Sequence, residues 1–341
     1  MLLGGARCQL LDQGRVGARL ELRAQLQTCI KTFGEAWLAQ ADVGGRFYAR
    51  YNQVRQDYHG GGKMVGTTTG RLSMSPNLQN VIRSDKGDEV PQLRKYLAPP
   101  RGHWWLKRDY SQQEMRLFAH YEEGELLERY QANPRIDVHV VCSDIIRDRT
   151  GLMLQRRPVK DINFGVLYGM GREKMAKKLG LDLPTAVKLL GAYHRSIPGV
   201  RQLQRELKKL AAREQPLYTW GGRRYFCEPP REVKVVRNGV VVTKEQTYEY
   251  KMLNVLVQGG AADVTKEAMV RYDETGWNED DMGPLVLQVH DELNALARLA
   301  RAKAAMAKLR ECMESIECDV PMLSDGSASR ESWDACEAVG W

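Results

Sequence analysis

The sequence predicts a mixed α/β (α+β) protein built around a small sheet, and three observations carry this prediction. Residues 112–213 and a segment from about Tyr250 to Tyr272 have the pattern of helices. Residues 103–111 and 284–289 are short apolar runs with the composition of strands. Around residues 233–243, an Asn-Gly pair lies between β-branched runs, which is typical of a β-hairpin.

The other elements follow from local patterns. Residues 1–58 are expected to be mostly helical, because leucines at 20, 22 and 26 recur at near-helical spacing. His59 and three glycines end this tract and open a Gly/Ser/Thr/Asn-rich segment, expected to form loops and short strands up to Asn80. After the acidic residues at 291 and 292, a helix is expected to about Met313, followed by a short terminal strand.

Composition limits the class of protein. The 341 residues allow about two domains or one composite unit, with a net charge of +8 that fits a polyanionic partner. No apolar run approaches the roughly 18 residues of a membrane span, which excludes an integral membrane protein. Seven cysteines without a CxxC pair argue against a disulfide framework and a zinc site, and indicate an intracellular protein. The Arg-rich N-terminus is interpreted as helix, with a transit peptide as the alternative.

Two acids stand at the ends of predicted strands. Asp109 ends the first apolar run, and Asp291 follows the second. Carboxylates on rigid strands suit Mg²⁺, which takes one or two of them and completes its coordination with water and substrate phosphates. Two such ions can stabilise the attacking and leaving oxygens of phosphoryl transfer. The alternative is that each acid is simply solvated, and sequence spacing does not show that the two meet.

The segment 156–169 predicts a helix with one functional face. Arg156, Lys160, Phe164 and Tyr168 recur at every fourth residue and therefore share a broad face. Pro158 is tolerated only in a first turn, which places the basic end of the helix at its start. Cations and free amides there could hold a triphosphate, and the aromatic residues further along could stack on a base. An amphipathic helix with extended basic residues and core aromatics is the alternative.

Five sequence motifs occur in an order that resembles the polymerase portion of family A DNA polymerases, the bacterial polymerase I class. The resemblance runs from about residue 45 to the C-terminus. The motifs are TTTGRLSMSPNLQN (67–80), DYSQQEMRLFAH (109–120), RRPVKDINFGVLYGM (156–170), LNVLVQGGAAD (253–263) and QVHDEL (288–293). The resemblance implies a right-hand polymerase with a small antiparallel palm sheet and a largely helical fingers subdomain.

The resemblance also implies roles for acids near the reacting atoms. Asp109 and Asp291 would be the metal ligands, binding two Mg²⁺ ions for which Mn²⁺ could substitute. Glu292 would be an auxiliary acid beside the primer end, and His290 would help to hold the primer terminus. The reaction would be attack of the primer 3′-hydroxyl on the α-phosphate of a template-selected dNTP, with pyrophosphate leaving.

A second set of residues would bind the incoming dNTP. Arg156 and Lys160 would contact its phosphates, with Lys160 also a candidate proton donor to the pyrophosphate. Phe164 and Tyr168 would pack on the sugar and the nascent base pair. Glu114 would act as the steric gate against a ribose 2′-hydroxyl. Closure of the helix over a correct pair would test the substrate by induced fit.

A third set would lie along the minor groove of the primer–template DNA, where polar side chains can contact acceptors common to all correct pairs. Its members are Arg71, Asn77, Gln79, Asn254 and Gln258. Asp137 and His139 resemble the Asp-x-His motif in the fingers of the family. The alternative to a chemical role is that Asp137 starts a helix and His139 packs in the interior.

Several positions depart from the family pattern. Lys107 and Arg108 stand where apolar strand residues are usual, so this strand is expected to be more exposed or to face nucleic acid. Gln113 replaces an apolar residue, with a possible effect on the nucleotide pocket. Leu293, Asn294 and Ala295 replace customary strand residues, so a weaker sheet is expected there.

The resemblance divides the chain into four parts. Residues 1–66 would be a thumb remnant and the entry to the palm, 67–115 the first part of the palm, 116–252 the fingers, and 253–341 the second part of the palm. No space is expected for a proofreading exonuclease or most of the thumb, so two alternatives are open: a compact polymerase of viral type, or one piece of a split enzyme whose other chain supplies the thumb or exonuclease.

The function expected from the sequence is therefore a DNA-templated DNA polymerase, a nucleotidyltransferase of DNA replication or repair. Its partners would be primer–template DNA and dNTPs, without a membrane. A cytoplasmic location in a bacterial or phage-infected cell is expected, with an organellar location open. The alternatives are a single-subunit RNA polymerase and a non-catalytic nucleic-acid-binding subunit of a split polymerase.

Overall fold

A computed structural model describes residues 14–55, 65–81, 90–237, 240–279 and 282–341. The chain divides into two compact units. The first unit contains the described residues of Met1–Asp109, Arg271–Glu311 and Asp325–Trp341. The second unit contains those of Tyr110–Val270 and Cys312–Ser324.

The chain contains both helices and strands, with seven consecutive helices between residues 113 and 212. The helices are α1 Gly14–Thr28, α2 Glu35–Leu38, α3 Gln113–Glu122, α4 Glu125–Ala132, α5 Val138–Thr150, α6 Arg156–Leu167, α7 Arg172–Leu179, α8 Leu183–Ser196, α9 Gly199–Ala212, α10 Tyr250–Glu274 and α11 Ala302–Glu314. A π-helix (Cys29–Gly34) joins α1 to α2, and Leu93–Tyr96 form a 3₁₀ turn. The strands are β1 Arg50–Asn52, β2 Ser73–Ser75, β3 His103–Tyr110, β4 Leu217–Tyr218, β5 Arg224–Tyr225, β6 Arg231–Arg237, β7 Val240–Gln246, β8 Leu285–Val289, β9 Glu292–Arg298, β10 Ser324–Ser329 and β11 Glu337–Ala338.

A five-stranded sheet organises the first unit, with the strand order β11–β10–β3–β9–β8. Strand β9 pairs antiparallel with β3 on one side and with β8 on the other. The core of the first unit includes the side chains of Phe33, Trp37, Trp105 and Trp333. Arg94 is buried among them, with its guanidinium 3.9 Å from the Trp333 ring centroid and donating to the Val81 carbonyl.

The expectation of a helix directly after Glu292 is wrong, because residues 292–298 form β9. The segment Glu-Leu-Asn-Ala-Leu-Ala-Arg is rich in residues that favour helices, and pairing with two neighbouring strands overrides this local preference. Asn294 is fully buried and accepts a hydrogen bond from Trp105 Nε1 at 2.8 Å. The polar residue expected to weaken the sheet therefore has a partner in the core.

Strand β3 also differs from the expectation of an exposed strand. Arg108 is buried, with 5% of its surface exposed, and Lys107 is half-buried. Strand β3 lies between β10 and β9 in the sheet order, and Arg108 Nη1 lies 2.8 Å from the position that a Cβ atom would occupy at Gly326 of β10.

The second unit is mainly helical, as predicted for residues 112–213. Its core is formed by apolar side chains of α3 to α10, such as Phe118, Ile162, Leu189 and Val257. Two helices of this unit begin at an aspartate cap: Asp137 accepts from backbone amides at the start of α5, and Asp182 does so at the start of α8.

The predicted hairpin is confirmed by strands β6 and β7, which pair antiparallel from Arg231↔Gln246 to Arg237↔Val240. The predicted Asn-Gly turn, Asn238 and Gly239, lies outside the described residues. Helix α1 confirms the helical prediction near the N-terminus, but the prediction is wrong at residues 50–52, which pair with β2 as a strand. The predicted break at His59 lies outside the described residues.

The described cysteines are all free thiols; they are Cys29, Cys142, Cys227, Cys312, Cys318 and Cys336. Among the described helices, none combines the length and apolar character needed to cross a bilayer.

Candidate active site

The two aspartates predicted to bind metal lie at the same end of the five-stranded sheet. Asp109 is the penultimate residue of β3 and pairs in register with Glu292, the first residue of β9. Asp291 occupies the two-residue turn between β8 and β9, directly before Glu292. Pairing of β3 with β9 therefore brings together two acids that are distant in the sequence.

Glu292 is held in the interior of the first unit. It is 2% exposed, and its Oε1 accepts hydrogen bonds from Trp333 Nε1 and Asn294 Nδ2, both at 2.9 Å. A buried carboxylate needs such donors, since an unpaired charge in the interior is costly. Sequence reasoning missed Trp333, because no local pattern connects it to an acid at position 292.

The surroundings of Asp291 control its ionisation. Burial raises the pKa of Asp291, while a hydrogen bond from its own backbone amide and the positive charge of Arg71 lower it. His290 acts in the same direction as Arg71, and Glu292 acts in the opposite direction. Arg71, predicted to contact DNA, is therefore an electrostatic neighbour of the candidate metal ligand.

Two further residues predicted to contact DNA belong to one network in the first unit. Gln79 Nε2 donates to Gln288 Oε1 at 3.1 Å, and Gln288 Nε2 donates to the carbonyl oxygen of His290. The backbone amide of Gln288 donates to the Tyr51 hydroxyl at 2.7 Å. The network links Gln79 to the turn that contains His290, and sequence reasoning missed the contributions of Gln288 and Tyr51.

Asn77 shapes its own loop in the structure. Its Oδ1 accepts from the backbone amides of Gln79 and Asn80, at 3.0 and 3.2 Å. Such a side-chain-to-backbone turn fixes the local backbone, so the side-chain oxygen of Asn77 is already engaged.

The donor chemistry at the end of the sheet fits magnesium. No group of three or more His, Cys, Asp or Glu side chains suited to a metal ion occurs among the described residues. Asp109 and Asp291 would nevertheless provide two carboxylates, and Mg²⁺ typically takes one or two from a protein when substrate phosphates and water complete its shell.

Helix α6 in the second unit presents the predicted face. Val159, Ile162 and Val166 are buried on one side, whereas Arg156 and Lys160 are exposed. Lys160 Nζ lies 5.8 Å from the centroid of the Phe164 ring. The rings of Phe164 and Tyr168 are stacked, with centroids 6.3 Å apart. Pro158 lies in the first turn of the helix, as predicted.

Asp137 and His139 position α6. Asp137 Oδ2 accepts from Arg156 Nε at 2.6 Å. Although burial raises the pKa of Asp137, the hydrogen bond and charge of Arg156 hold it below its usual value. His139 is buried, and its Nδ1 lies 2.7 Å from Asn163 Nδ2, which can donate to the neutral ring. Asp137 thus caps the start of α5 and His139 packs in the interior, which is the alternative that the sequence left open for these two residues.

Glu114 and Tyr168, predicted to surround the sugar of the nucleotide, are in direct contact. The Tyr168 hydroxyl donates a hydrogen bond to Glu114 Oε2. This contact joins the first turn of α3 to the C-terminal end of α6.

Gln113 and two glycines near this contact pack closely against other side chains of the second unit. Gln113 is 2% exposed and donates to Thr265 Oγ1 at 3.0 Å, so it packs on α10 in the core of the second unit. At Gly165, the thioether end of Met170 fills the position that a Cβ atom would occupy. At Gly169, the Cβ atom of Tyr250 lies 3.3 Å from the position that a Cβ atom of residue 169 would occupy.

Asn254 and Gln258, predicted to contact DNA, lie on α10 and are half-buried. Within the described residues, Asn254 Oδ1 is buried and accepts no hydrogen bond. Asp263, further along α10, binds Arg223 Nη2 at 2.9 Å and anchors the β4–β5 loop. Sequence reasoning missed Arg223 as the partner of this aspartate.

Comparison with known proteins identifies the family. Residues 24–335 match the family described as DNA polymerase family A. The chain is 33% identical over 298 residues to the thermostable DNA polymerase I of Thermus filiformis, across 84% of this chain and 32% of that protein. It is 30% identical over 298 residues to DNA polymerase I of Pseudomonas aeruginosa, across 84% of this chain and 30% of that protein.

A solved structure is also similar, with a TM-score of 0.73 and 26% sequence identity. It is the POL domain of Pol1 from M. smegmatis in complex with DNA primer-template and dNTP, and the similarity covers 90% of this chain and 52% of that chain. The present chain belongs to DNA polymerase family A. It spans about a third of the length of the curated relatives that it matches.

Proposed function

We propose that the chain is a DNA-templated DNA polymerase that extends a primer 3′-end with dNTPs. One structural observation supports this function above the others: Asp109 and Asp291 lie at the same end of one sheet, joined by the β3–β9 ladder. Membership of DNA polymerase family A and similarity to a polymerase domain in complex with primer–template DNA and dNTP support the same conclusion.

Asp109 and Asp291 would hold two divalent cations, with Mg²⁺ the expected metal. When bound, such ions stabilise the attacking and leaving oxygens of phosphoryl transfer. The chain itself places Asp109 on the paired strand β3 and Asp291 in the short turn that joins the paired strands β8 and β9, so that both positions are fixed before substrate binds. Glu292 supports this arrangement from the interior, held by Trp333 and Asn294.

Helix α6 would bind the dNTP. Lys160, exposed on α6, would neutralise charge on the phosphates and could donate a proton to the leaving pyrophosphate. Arg156 would contact the same phosphates, and its pairing with Asp137 aligns it before the nucleotide arrives. Phe164 and Tyr168 would pack against the sugar and base as a stacked aromatic pair.

Glu114 would discriminate against ribonucleotides. A carboxylate held by Tyr168 has little freedom to move away from a 2′-hydroxyl. The rejection would therefore depend on the fixed position of the side chain as well as on its size.

Each unit contains residues that would contact the primer–template. In the first unit, Arg71, Asn77, Gln79 and His290 would lie along the DNA, and in the second unit Asn254 and Gln258 of α10 would do so. The assignment of residues 67–115 and 253–341 to a palm, 116–252 to fingers and 1–66 to a thumb remnant belongs to the same proposal. So does a cytoplasmic location.

Extension of a labelled primer on a DNA template by the full chain tests this function. Wild type should add dNTPs in the presence of Mg²⁺, whereas Asp109→Asn and Asp291→Asn should each lose at least about a thousandfold in rate, roughly 4 kcal/mol of transition-state stabilisation. Asp325→Asn removes an exposed carboxylate of the first unit and should extend as wild type does.

Two outcomes would reject parts of the proposal. Full activity of either aspartate variant would exclude the metal assignment. Preferred incorporation of rNTPs by wild type would favour a single-subunit RNA polymerase, and absence of extension with either nucleotide class would favour a non-catalytic subunit.

A further inference from the structure

The net positive charge of the chain comes from one segment. Residues 172–213 contain eleven Lys and Arg residues against three acidic residues, a net charge of +8. The whole chain, with 51 basic and 43 acidic residues, has the same net charge. The other 40 basic and 40 acidic residues therefore cancel, and the excess of positive charge comes from this segment alone.

The segment forms the consecutive helices α7, α8 and α9 of the second unit. All eleven basic side chains are exposed: Arg172, Lys174, Lys177, Lys178, Lys188, Arg195, Arg201, Arg205, Lys208, Lys209 and Arg213. Arg172 pairs with Glu173, and Lys178 pairs with Asp161. The other nine form no ion pair with any residue that the structure describes.

Helix stability does not explain this arrangement. Arg201 and Arg205 are four residues apart, and Lys208 follows three residues later, so like charges are neighbours on one exposed stripe of α9. Arg201 also lies in the first turn of α9, and Arg172 and Lys174 lie in the first turn of α7. Cations near a helix N-terminus oppose the helix dipole. These five charges thus reduce helix stability, which is compensated if a polyanion binds them. Other basic residues of the segment lie in the last turns of the helices, where cations are favourable; they are Lys177, Lys178, Arg195 and Lys209.

We propose that the exposed basic side chains of α7, α8 and α9 form a second nucleic-acid contact, which binds the phosphate backbone without reading bases. The inference rests on the proposed function in one respect, since DNA is the polyanion that a polymerase meets. It goes beyond that function because none of these residues belongs to the metal, dNTP or minor-groove sets.

The absence of exposed aromatic rings defines the kind of contact. Tyr193 is the one Phe, Tyr or Trp residue in the segment, and it is fully buried. Binding of single strands typically relies on stacking of bases on aromatic side chains, which this surface does not offer. Phosphates alone are left as the ligand, and duplex DNA presents them at the higher density.

The dimensions of the stripe on α9 agree with a DNA strand. Seven residues separate Arg201 from Lys208, which corresponds to about 10 Å along the helix axis. Successive phosphates of one strand advance by about 3.4 Å along the duplex axis. The three cations of the stripe can therefore reach successive or nearly successive phosphates of one strand.

Binding of a short blunt-ended duplex to the full chain over a range of salt concentrations tests this inference. The triple variant Arg201→Gln, Arg205→Gln, Lys208→Gln should bind more weakly at low salt. Its slope of log K against log salt should be smaller than that of wild type by about two to three, since each phosphate that is no longer neutralised lowers the slope by about 0.9. The slope should be independent of DNA sequence.

A matched control removes the same charges elsewhere. Arg135→Gln, Arg149→Gln, Lys303→Gln also replaces two arginines and one lysine that are exposed and form no ion pair within the described chain. Its slope should stay closer to that of wild type. If the α9 variant does not fold, Lys174→Gln with Lys177→Gln on α7 gives the same test, with a smaller decrease in slope.

Equal slopes for wild type and the α9 variant would overturn the inference, as would equal decreases in the α9 and control variants. Loss of binding to vesicles containing phosphatidylserine, with DNA binding unchanged, would assign the surface to anionic lipid and also overturn it. These outcomes are separate from failure of the proposed function. A chain that extends no primer can still show the difference in slope, and a chain that extends primers can lack it.

Discussion

Tyr168, at the C-terminal end of α6, donates a hydrogen bond to the carboxylate of Glu114 in the first turn of α3. The two residues lie on different helices of the second unit, and both are predicted to surround the sugar of an incoming nucleotide. Because the carboxylate is held by the phenol, the position of the proposed ribose gate depends on the position of α6.

The first prediction concerns this pair. Tyr168→Phe should lower the preference for a dNTP over the matching rNTP by about ten- to a hundredfold, because a hydrogen bond to a charged group contributes about 1.5–3 kcal/mol. Glu114→Ala should lower it further. The measurement is the ratio of kcat/KM for the two nucleotides, with the exposed Tyr218→Phe as a control. An unchanged ratio in Glu114→Ala would contradict the gate.

The second prediction concerns pH. The pKa of His139 is lowered from 6.5 to about 4, mainly by burial. The negative charge of Asp137 raises this pKa, and the positive charges of Lys160 and Arg156 lower it. The unfolded chain therefore binds a proton between these pH values that the folded chain does not. Stability should decrease as pH falls from about 6.5 to 4, by at most about 3 kcal/mol from this residue.

Urea unfolding at pH 7 and pH 5 measures this effect. Burial also lowers the pKa of His194 to about 4, so wild type should lose stability from both residues. His139→Gln should remove one of these contributions and flatten the pH dependence. If the variant loses as much stability as wild type between the two pH values, His139 is not buried as a neutral ring.

The third prediction uses the buried pair Gln113 and Thr265. Thr265→Val should destabilise the protein by about 1–3 kcal/mol, because it leaves the Gln113 amide unsatisfied in the core. Gln113→Met should cost less, since Thr265 Oγ1 still donates to the Ala261 carbonyl at 2.9 Å.

The double variant of this pair completes the cycle. Combining Gln113→Met with Thr265→Val should be less destabilising than the sum of the two single changes, since no unsatisfied partner is left. The free energy of unfolding in urea is the measurement. Strict additivity would show that the two side chains do not interact.

The fourth prediction separates backbone strain from a steric clash at glycine. Gly66 has φ of +84°, and a Cβ there would lie 2.5 Å from the Val54 carbonyl oxygen. Gly45 has φ of +73°, and no described residue other than its two chain neighbours has an atom within 4 Å of the position that its own Cβ would occupy. Gly45→Ala should cost about 1–2 kcal/mol from the left-handed backbone alone. Gly66→Ala should cost more, and equal losses in thermal unfolding would contradict the close approach.

Sequence patterns predicted those parts of the fold that depend on neighbours along the chain. The face of α6 follows from the spacing of Arg156, Lys160 and Phe164 together with Pro158 in the first turn. The hairpin near residue 237 follows from β-branched runs on both sides of a turn. In these segments, local preference and tertiary packing favour the same structure.

Features that depend on distant residues could not be predicted in this way. Strand β9 contains Leu, Ala and Glu, and only pairing with β3 and β8 makes it a strand. The burial of Arg108 depends on the neighbours of β3, and the partner of Glu292 is a tryptophan 41 residues further along. The approach of Asp109 to Asp291 is likewise a property of the sheet, which spacing in the sequence does not contain.

The turn between β8 and β9 has a consequence for engineering. Two residues, His290 and Asp291, close this hairpin, and His290 adopts a left-handed backbone with φ of 60°. Inserting one residue would change the turn type and shift Asp291 relative to the β3 ladder, while both strands could stay paired. Loop grafting at this position should therefore yield folded but inactive chains, whereas lengthening the hairpin between β6 and β7 leaves these acids untouched.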